Sequence, residues 1–297
     1  MKKGRLNKKR LFLVVFIFVL FIFLISRLFI GIKGYIASRH QVEPPVKSQE
    51  EIEREKNRVV NVIIDPAKGG INEGLSTPDG SMKEKDINLD IAKRMKADLE
   101  RHEDVNVWLT REYDENIDTK ERISALKKHK GDVLVSIRLN AQGKSNEANG
   151  MDTYYSDLSS TKNISDEEKA SIKPKKKDSD VSDISDYKSE KEKDSKNGNV
   201  EERNKLCKEL AESIQSTTLS FVELKDRGVS KKNFDILLYT DMPSVIVQCG
   251  FISNESDGEK LQNEDSRQEI ADGISDGILN YIDNNRDEIL KDRINYR

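Results

Sequence analysis

An apolar run from Leu11 to Ile32, broken only by Ser26 and Arg27, sits directly behind the basic cluster Lys2, Lys3, Arg5, Lys8, Lys9 and Arg10. As a helix it would extend about 33 Å at about 1.5 Å per residue, enough to cross a bilayer core. Arg27 near its far end can snorkel to the interface. The flanking cations place residues 1–10 in the cytoplasm as a basic tail and make 11–32 a single-pass transmembrane anchor. Everything after Gly34 is then expected outside the cell membrane. A cleaved signal peptide fits less well. The apolar stretch is too long for one, and no small-x-small site occurs around Tyr35, Ile36, Ala37 and Ser38.

The rest of the chain must supply any folded domain. Residues 33–58 are rich in Pro, Glu and Lys and read as a solvated stalk. The formal net charge of -3 over 297 residues gives no reason to expect a polyanion such as nucleic acid as partner. Cys207 and Cys249 lie far apart without a CxxC spacing, so two buried free thiols are expected rather than a metal site.

Order begins at Val59-Val60-Asn61-Val62-Ile63-Ile64, a β-branched run stopped by Asp65-Pro66 and then Gly69-Gly70, which reads as a buried strand leading into a loop. Ile87, Ile91, Met95 and Leu99 recur every four positions and make 86–101 a helix with one core-facing stripe. Strands follow at 105–109, 132–138 and 151–155, with a short helix at 119–129. Between Ser156 and Asn199 the pattern vanishes into Lys, Asp, Glu and Ser. That stretch cannot bury enough apolar surface to offset its ordering entropy and is expected to be a mostly disordered insertion. Periodicity resumes as a helix over 201–221, then apolar runs at Phe234–Tyr239 and Val245–Gln248, then a last helix at 267–282. This predicts an α/β domain over 59–284, with a single mixed or mainly parallel six-stranded sheet flanked by helices, and a tail at 285–297. The loops after Ile64, Ile137 and Val247 leave the carboxyl ends of strands, where open α/β sheets place their sites.

The residues at those strand ends resemble a known family. Asp65-Pro66-Ala67-Lys68-Gly69-Gly70 is similar to an Asp-Pro-Gly-His-Gly-Gly loop, and Glu84-Lys85-Asp86-Ile87-Asn88-Leu89 to a Glu-Lys-Asp-x-Asn-Leu helix start. Leu109-Thr110-Arg111 resembles Leu-Thr-Arg, and Ser136-Ile137-Arg138-Leu139-Asn140-Ala141 resembles Ser-Ile-His-x-Asn-Ala. The segment from Met242 to Asn254 resembles the one that carries a catalytic glutamate. These are the motifs, in order, of the zinc-dependent N-acetylmuramoyl-L-alanine amidases. The resemblance implies a Zn²⁺ held by two His and a Glu, and a second Glu as general base on the amide joining muramic acid to L-alanine.

Carried onto this sequence, the three ligand positions are Lys68, Glu84 and Arg138, and the base position is Gln248. A guanidinium offers no lone pair. Lys68 would have to lose its proton, at about 4.6 kcal/mol from an ordinary pKa at neutral pH. Gln248 cannot take a proton from water. His40 lies in the stalk, while His102 and His129 precede their strands and so stand near the opposite sheet edge. Zinc and hydrolysis are therefore expected to be lost. Lys68 and Arg138 are expected to replace the metal's charge and ion-pair Glu84, with Asp65 and Asn140 supporting the groove. Cys249 lacks a His partner for nucleophilic work, and the Lys68 loop lacks the Walker spacing. The functional expectation is a membrane-anchored, catalytically inactive amidase-like protein that binds peptidoglycan, its stem peptide, or an envelope protein. The alternatives are an active amidase of cell-wall or spore-cortex remodelling, and a structural component of an envelope membrane complex.

Overall fold

The structure, a computed structural model, describes residues 16–27, 58–140, 147–157, 198–238 and 240–291. The chain divides into two compact units, Met1–Ile52 and Glu53–Arg297. In the first, residues 16–27 are helical with exposed apolar side chains. Among the described residues no helix is long and apolar enough to cross a membrane. The remainder of the 11–32 span, the basic tail, the stalk up to residue 57, residues 158–197 of the charged insertion and residues 292–297 of the tail lie outside the described residues.

The second unit is built on β1 (Val60–Pro66), α1 (Glu84–Leu99), β2 (Val105–Leu109), α2 (Thr119–Lys128), β3 (Val133–Asn140) and β4 (Met151–Tyr155). It continues with α3 (Gly198–Phe221), β5 (Asp226–Lys231), α4 (Asp235–Leu238), β6 (Ser244–Phe251), α5 (Glu255–Gln262) and α6 (Glu264–Ile289). The strands form one six-stranded sheet in the order β2-β1-β3-β6-β4-β5. β2, β1, β3 and β6 run parallel, while β4 pairs antiparallel with β6 and parallel with β5. The carboxyl ends of β1, β3 and β6 therefore meet the amino ends of β4 and β5 at one edge.

Strand alternation sorts side chains into two unequal layers. Val62, Ile64, Val135, Ile137, Val245 and Val247 join the main core with the apolar stripes of α1, α3 and α6. Ile63, Leu134 and Ile246 point the other way, into a small cluster closed by Leu126 of α2 and Ile236 and Leu237 of α4. Burial on both faces explains why β1, β3 and β6 read as nearly continuous apolar runs. The large layer is close-packed: a Cβ on Gly277 of α6 would stand 2.7 Å from the Ile214 Cα of α3.

Three elements differ from expectation. Residues 234–238 of the apolar run form no strand. Phe234 precedes a single helical turn, α4, because Ile236 and Leu237 serve as a plug over the thin face of the sheet. The missing strand is β5, an edge strand of sequence DRGVSK that is largely exposed and so carries no apolar signal. The last helix continues to Ile289, and Leu290 is buried beyond it.

α1 and α6 bring Asp98 and Asp272 together, with the Gln268 Nε2 donating to both, at 3.3 and 2.7 Å. Burial, then the hydrogen bond and charge of Asp272, push the Asp98 carboxyl up to about 6. A carboxyl raised in the fold binds its proton more tightly there than in the unfolded chain, so this pair adds stability as pH falls through about 6. Asp98→Asn should therefore be more stable than wild type at pH 7.5, by on the order of 1 kcal/mol after solvent screening. Urea melts should show the advantage fading towards pH 4.

Candidate functional site

The site is assembled on the thin face, at the edge where parallel strands end. Asp65 of β1 lies beside Ser136 of β3, and two residues on, Arg138 of β3 lies beside Gln248 of β6. Gln248 in turn lies beside Asp152 of β4. In-register partners point to the same side of a sheet. Arg138, Gln248 and Asp152 thus form a polar row across three strands, continuing the face whose other end is the Ile63-Leu134-Ile246 cluster.

Asp65 organises the centre of this edge. It is fully buried and accepts from the Thr110 hydroxyl at 2.6 Å, from the Ser136 hydroxyl at 2.7 Å and from an Arg122 guanidinium nitrogen. Burial alone would raise its carboxyl. The Arg122 charge, Thr110, Arg138 and Ser136 outweigh burial, and the group sits below the ordinary carboxylate range.

The loop beyond Asp65 is held by its carbonyls. Arg111, 2 % exposed, donates to the carbonyls of Pro66 at 3.0 Å, Ala67 at 3.2 Å and Lys85 at 2.8 Å. Asn88 Nδ2 reaches the Ala67 carbonyl at 3.1 Å, and Arg122 Nη2 reaches that of Lys68 at 3.0 Å. Arg122 is carried by α2, whose start is fixed by a reciprocal capping box between Asp118 and Glu121. With its carbonyl so anchored, Lys68 adopts a left-handed backbone, φ 66°. Such a conformation is uncommon for a residue with a side chain and persists where surrounding contacts fix it.

Of the expected site residues, Glu84 opens α1 and is 5 % exposed. Its Oε2 accepts from the Leu75 N–H at 3.3 Å, and Gly74, φ +71°, packs so closely that a Cβ there would fall 2.3 Å from that oxygen. Asn140 donates to Asp152 at 3.0 Å and supports the row from β3. The expected ion-paired cluster does not form: among the described residues neither Lys68 nor Arg138 pairs with Glu84, whose oxygen is committed to the loop backbone instead. Among the described residues Arg138 bonds only through Nε, to the Ser136 hydroxyl at 3.4 Å, and it lies over the Phe234 ring at 5.4 Å. Burial lowers its guanidinium, and Asp65, Glu84 and Asp235 work against this through space, while Arg122 adds to it. The Gln248 Oε1 is buried with no hydrogen-bond partner among the described residues. Cys249 is a buried thiol pushed up by burial and then by Asp152, as befits a core side chain.

Several participants carry no signal in the sequence. Asp152 accepts from Asn140, from Tyr154 OH at 3.2 Å and from Arg227 Nε at 3.3 Å. Phe234, displaced from the expected strand, forms a wall with Tyr154, on which the Lys232 ammonium rests 5.0 and 5.1 Å from the two ring centres. Among the described residues no three His, Cys, Asp or Glu side chains cluster as metal ligands would, and His129 stacks on Trp108 at 4.2 Å.

A sequence profile described as N-acetylmuramoyl-L-alanine amidase matches residues 62–280. The chain belongs to the N-acetylmuramoyl-L-alanine amidase family. It is 30 % identical over 222 residues to the uncharacterized protein YqiI of Bacillus subtilis, covering 75 % of this chain and 84 % of that one. It is 29 % identical to the amidase LytC of the same organism over 76 % of this chain but only 36 % of LytC. Among solved structures, an N-acetylmuramoyl-L-alanine amidase from Clostridium difficile 630 superposes with a TM-score of 0.58 at 30 % identity, covering 76 % of this chain and 98 % of that one.

In this amidase-family domain the Asp65–Arg122 pair is the element whose removal should be felt most. Asp65→Asn leaves a guanidinium uncompensated and should cost ~3 kcal/mol or more in urea unfolding at pH 7. Because the folded carboxyl is held low, its contribution is present above the unfolded value near about 4 and is lost as pH falls through the folded value. Wild type should therefore lose stability on acidification below about pH 4 more steeply than Asp65→Asn.

Proposed function

We propose that this protein is a non-hydrolytic member of the amidase family that binds peptidoglycan, or an envelope protein, at the strand-end site. The observation that carries the reading is the chemistry of the side chains at the three positions that the family resemblance makes ligands. Glu84 offers a carboxylate, Lys68 an ammonium and Arg138 a guanidinium. A catalytic zinc requires three protein groups with lone pairs beside its water. Arg138 sits against Phe234 and Ser136, where it stays a cation without an electron pair to give. The donor set does not fit zinc. Gln248, in the position of the base, presents an amide oxygen that is not basic.

The basic residues 2–10 and the apolar run 11–32 support a single-pass anchor with the domain outside the cell membrane. Peptidoglycan lies on that side, which makes it the partner that family and topology both favour. Hydrolysis is the second reading, and the observation on its side is Glu84, still held at the start of α1 by Leu75 and Gly74.

Elemental analysis of the purified full-length protein should find zinc far below one per chain, and digestion of peptidoglycan should release no stem peptides. Pelleting with insoluble peptidoglycan should succeed. Lys68→His with Arg138→His and Gln248→Glu should take up zinc. EDTA-sensitive release of stem peptides by the wild-type protein would overturn the reading.

A further inference from the structure

The polar row holds two groups with unmet hydrogen-bonding capacity that ask for opposite partners. Arg138 spends only Nε, on a long bond to Ser136. Among the described residues its two terminal nitrogens donate to no side chain or carbonyl, and it makes no ion pair. Of the carboxylates that act on it through space, Asp65 is committed to Arg122, Thr110 and Ser136, and Glu84 to the Leu75 N–H, while Asp235 makes no ion pair among the described residues with Arg138. Beside it in register, the buried Gln248 Oε1 lacks a donor. Lys68 follows Ala67, whose N–H meets the Ile137 carbonyl at 3.0 Å, so it stands level with Arg138 at the strand ends, and its ammonium pairs with no carboxylate among the described residues. Pairing off Arg122 with Asp65 and Arg227 with Asp152 leaves Lys68, Arg138 and Lys232 against Glu84 and Asp235.

We infer that this row is a receptor for a peptide's free C-terminal carboxylate. The two carboxylate oxygens suit the forked guanidinium of Arg138, with Lys68 as a second cation. Rotation of the Gln248 side chain, whose Oε1 is sealed in the unliganded row, would bring that oxygen to the N–H of the same terminal residue and supply the donor it lacks. A side chain on that residue would share the Phe234 and Tyr154 rings, 5.6 Å apart in an edge-on arrangement, with the Lys232 ammonium and the Arg138 guanidinium. A bare anion would satisfy the cations and leave Gln248 unpaired, so the row selects a carboxylate with an amide beside it. The inference rests on the proposed function in one respect: the site must hold a ligand without cutting it.

The test is calorimetric titration of the full-length protein in detergent with N-acetyl-Ala-Ala, with its C-terminal amide, and with acetate. The free acid should bind at least ~tenfold more tightly than the amide, as expected for a charge-assisted bidentate contact. Arg138→Gln should erase that preference. If that variant loses its thermal transition, Lys68→Gln, in the loop, should reduce the preference without unfolding. Gln248→Met should weaken the dipeptide acid and leave acetate unchanged. Equal binding of acid and amide, a preference untouched by both cation variants, no detectable binding of the acid, or acetate as tight as the dipeptide would each overturn the inference. Any of these with peptidoglycan pelleting intact overturns this inference alone, whereas EDTA-sensitive hydrolysis overturns the proposed function.

Discussion

A single carboxylate, that of Asp65, sets the geometry of the strand-end edge. It is buried at the end of β1 and draws in β2 through Thr110, β3 through Ser136 and α2 through Arg122. A charge in that position is tolerable only with a full set of donors and a close cation. Once Arg122 has been recruited to meet that need, its second nitrogen is delivered to the Lys68 carbonyl. Arg111 and Asn88 secure the two residues before it. The loop is therefore shaped by protein donors acting on backbone carbonyls. Its form does not depend on a group bound to its side chains, which leaves Lys68 and Arg138 free to present charge rather than to maintain structure.

Much of this was legible in the sequence, and the reason is burial. β1, β3 and β6 are covered on both faces, so they must be apolar along their length and must end sharply where turn residues begin. Their order and spacing located the site edge. β5 was invisible because an exposed edge strand needs no apolar residues, and DRGVSK has the composition of a loop. The apolar run starting at Phe234 is too short to show its period, so it could be counted towards the six strands, and only the Ile63-Leu134-Ile246 face explains why Ile236 and Leu237 fold as a plug. Asp65 could be recognised as a strand-end hydrogen-bonding residue, yet its partner could not be chosen from a chain with 51 Lys and Arg. The sheet order that sets Asp152 next to Gln248 reverses direction at β4, and no local pattern encodes that reversal.

The expected ion-paired cluster failed for a physical reason that also shapes the reading of the site. A pair between Arg138 and Glu84 would hold two opposite charges together at the strand ends. Glu84, however, is turned towards the Leu75 backbone and wedged by Gly74, while Arg138 lies on Phe234. Contact with an aromatic face supports a cation without quenching it. Asp65, Glu84 and Asp235 act on Arg138 only through space. The guanidinium is thus kept charged and kept unsatisfied.

On the proposed reading, Lys68 and Arg138, at the positions that the resemblance gives to imidazole ligands, keep at the carboxyl ends of the strands a positive charge that a metal would otherwise supply, while inverting what that charge can do. A metal ion draws electron pairs from water and so turns it into a nucleophile. A guanidinium or ammonium offers protons along fixed directions and has no empty orbital with which to activate anything. The same electrostatic attraction that would stabilise charge developing on a scissile amide is then directed at charge already present on a ligand. On the proposed reading, with a neutral amide at position 248, water near the row would meet neither an activating ion nor a base at that position. The site would then gain its binding energy in the ground state, and interactions that hold substrate and transition state equally do nothing for the chemical step. On the proposed reading the amidase scaffold can persist without its chemistry, because the strand-end loop is secured by Asp65, Arg111 and Arg122 rather than by Lys68, Arg138 and Gln248.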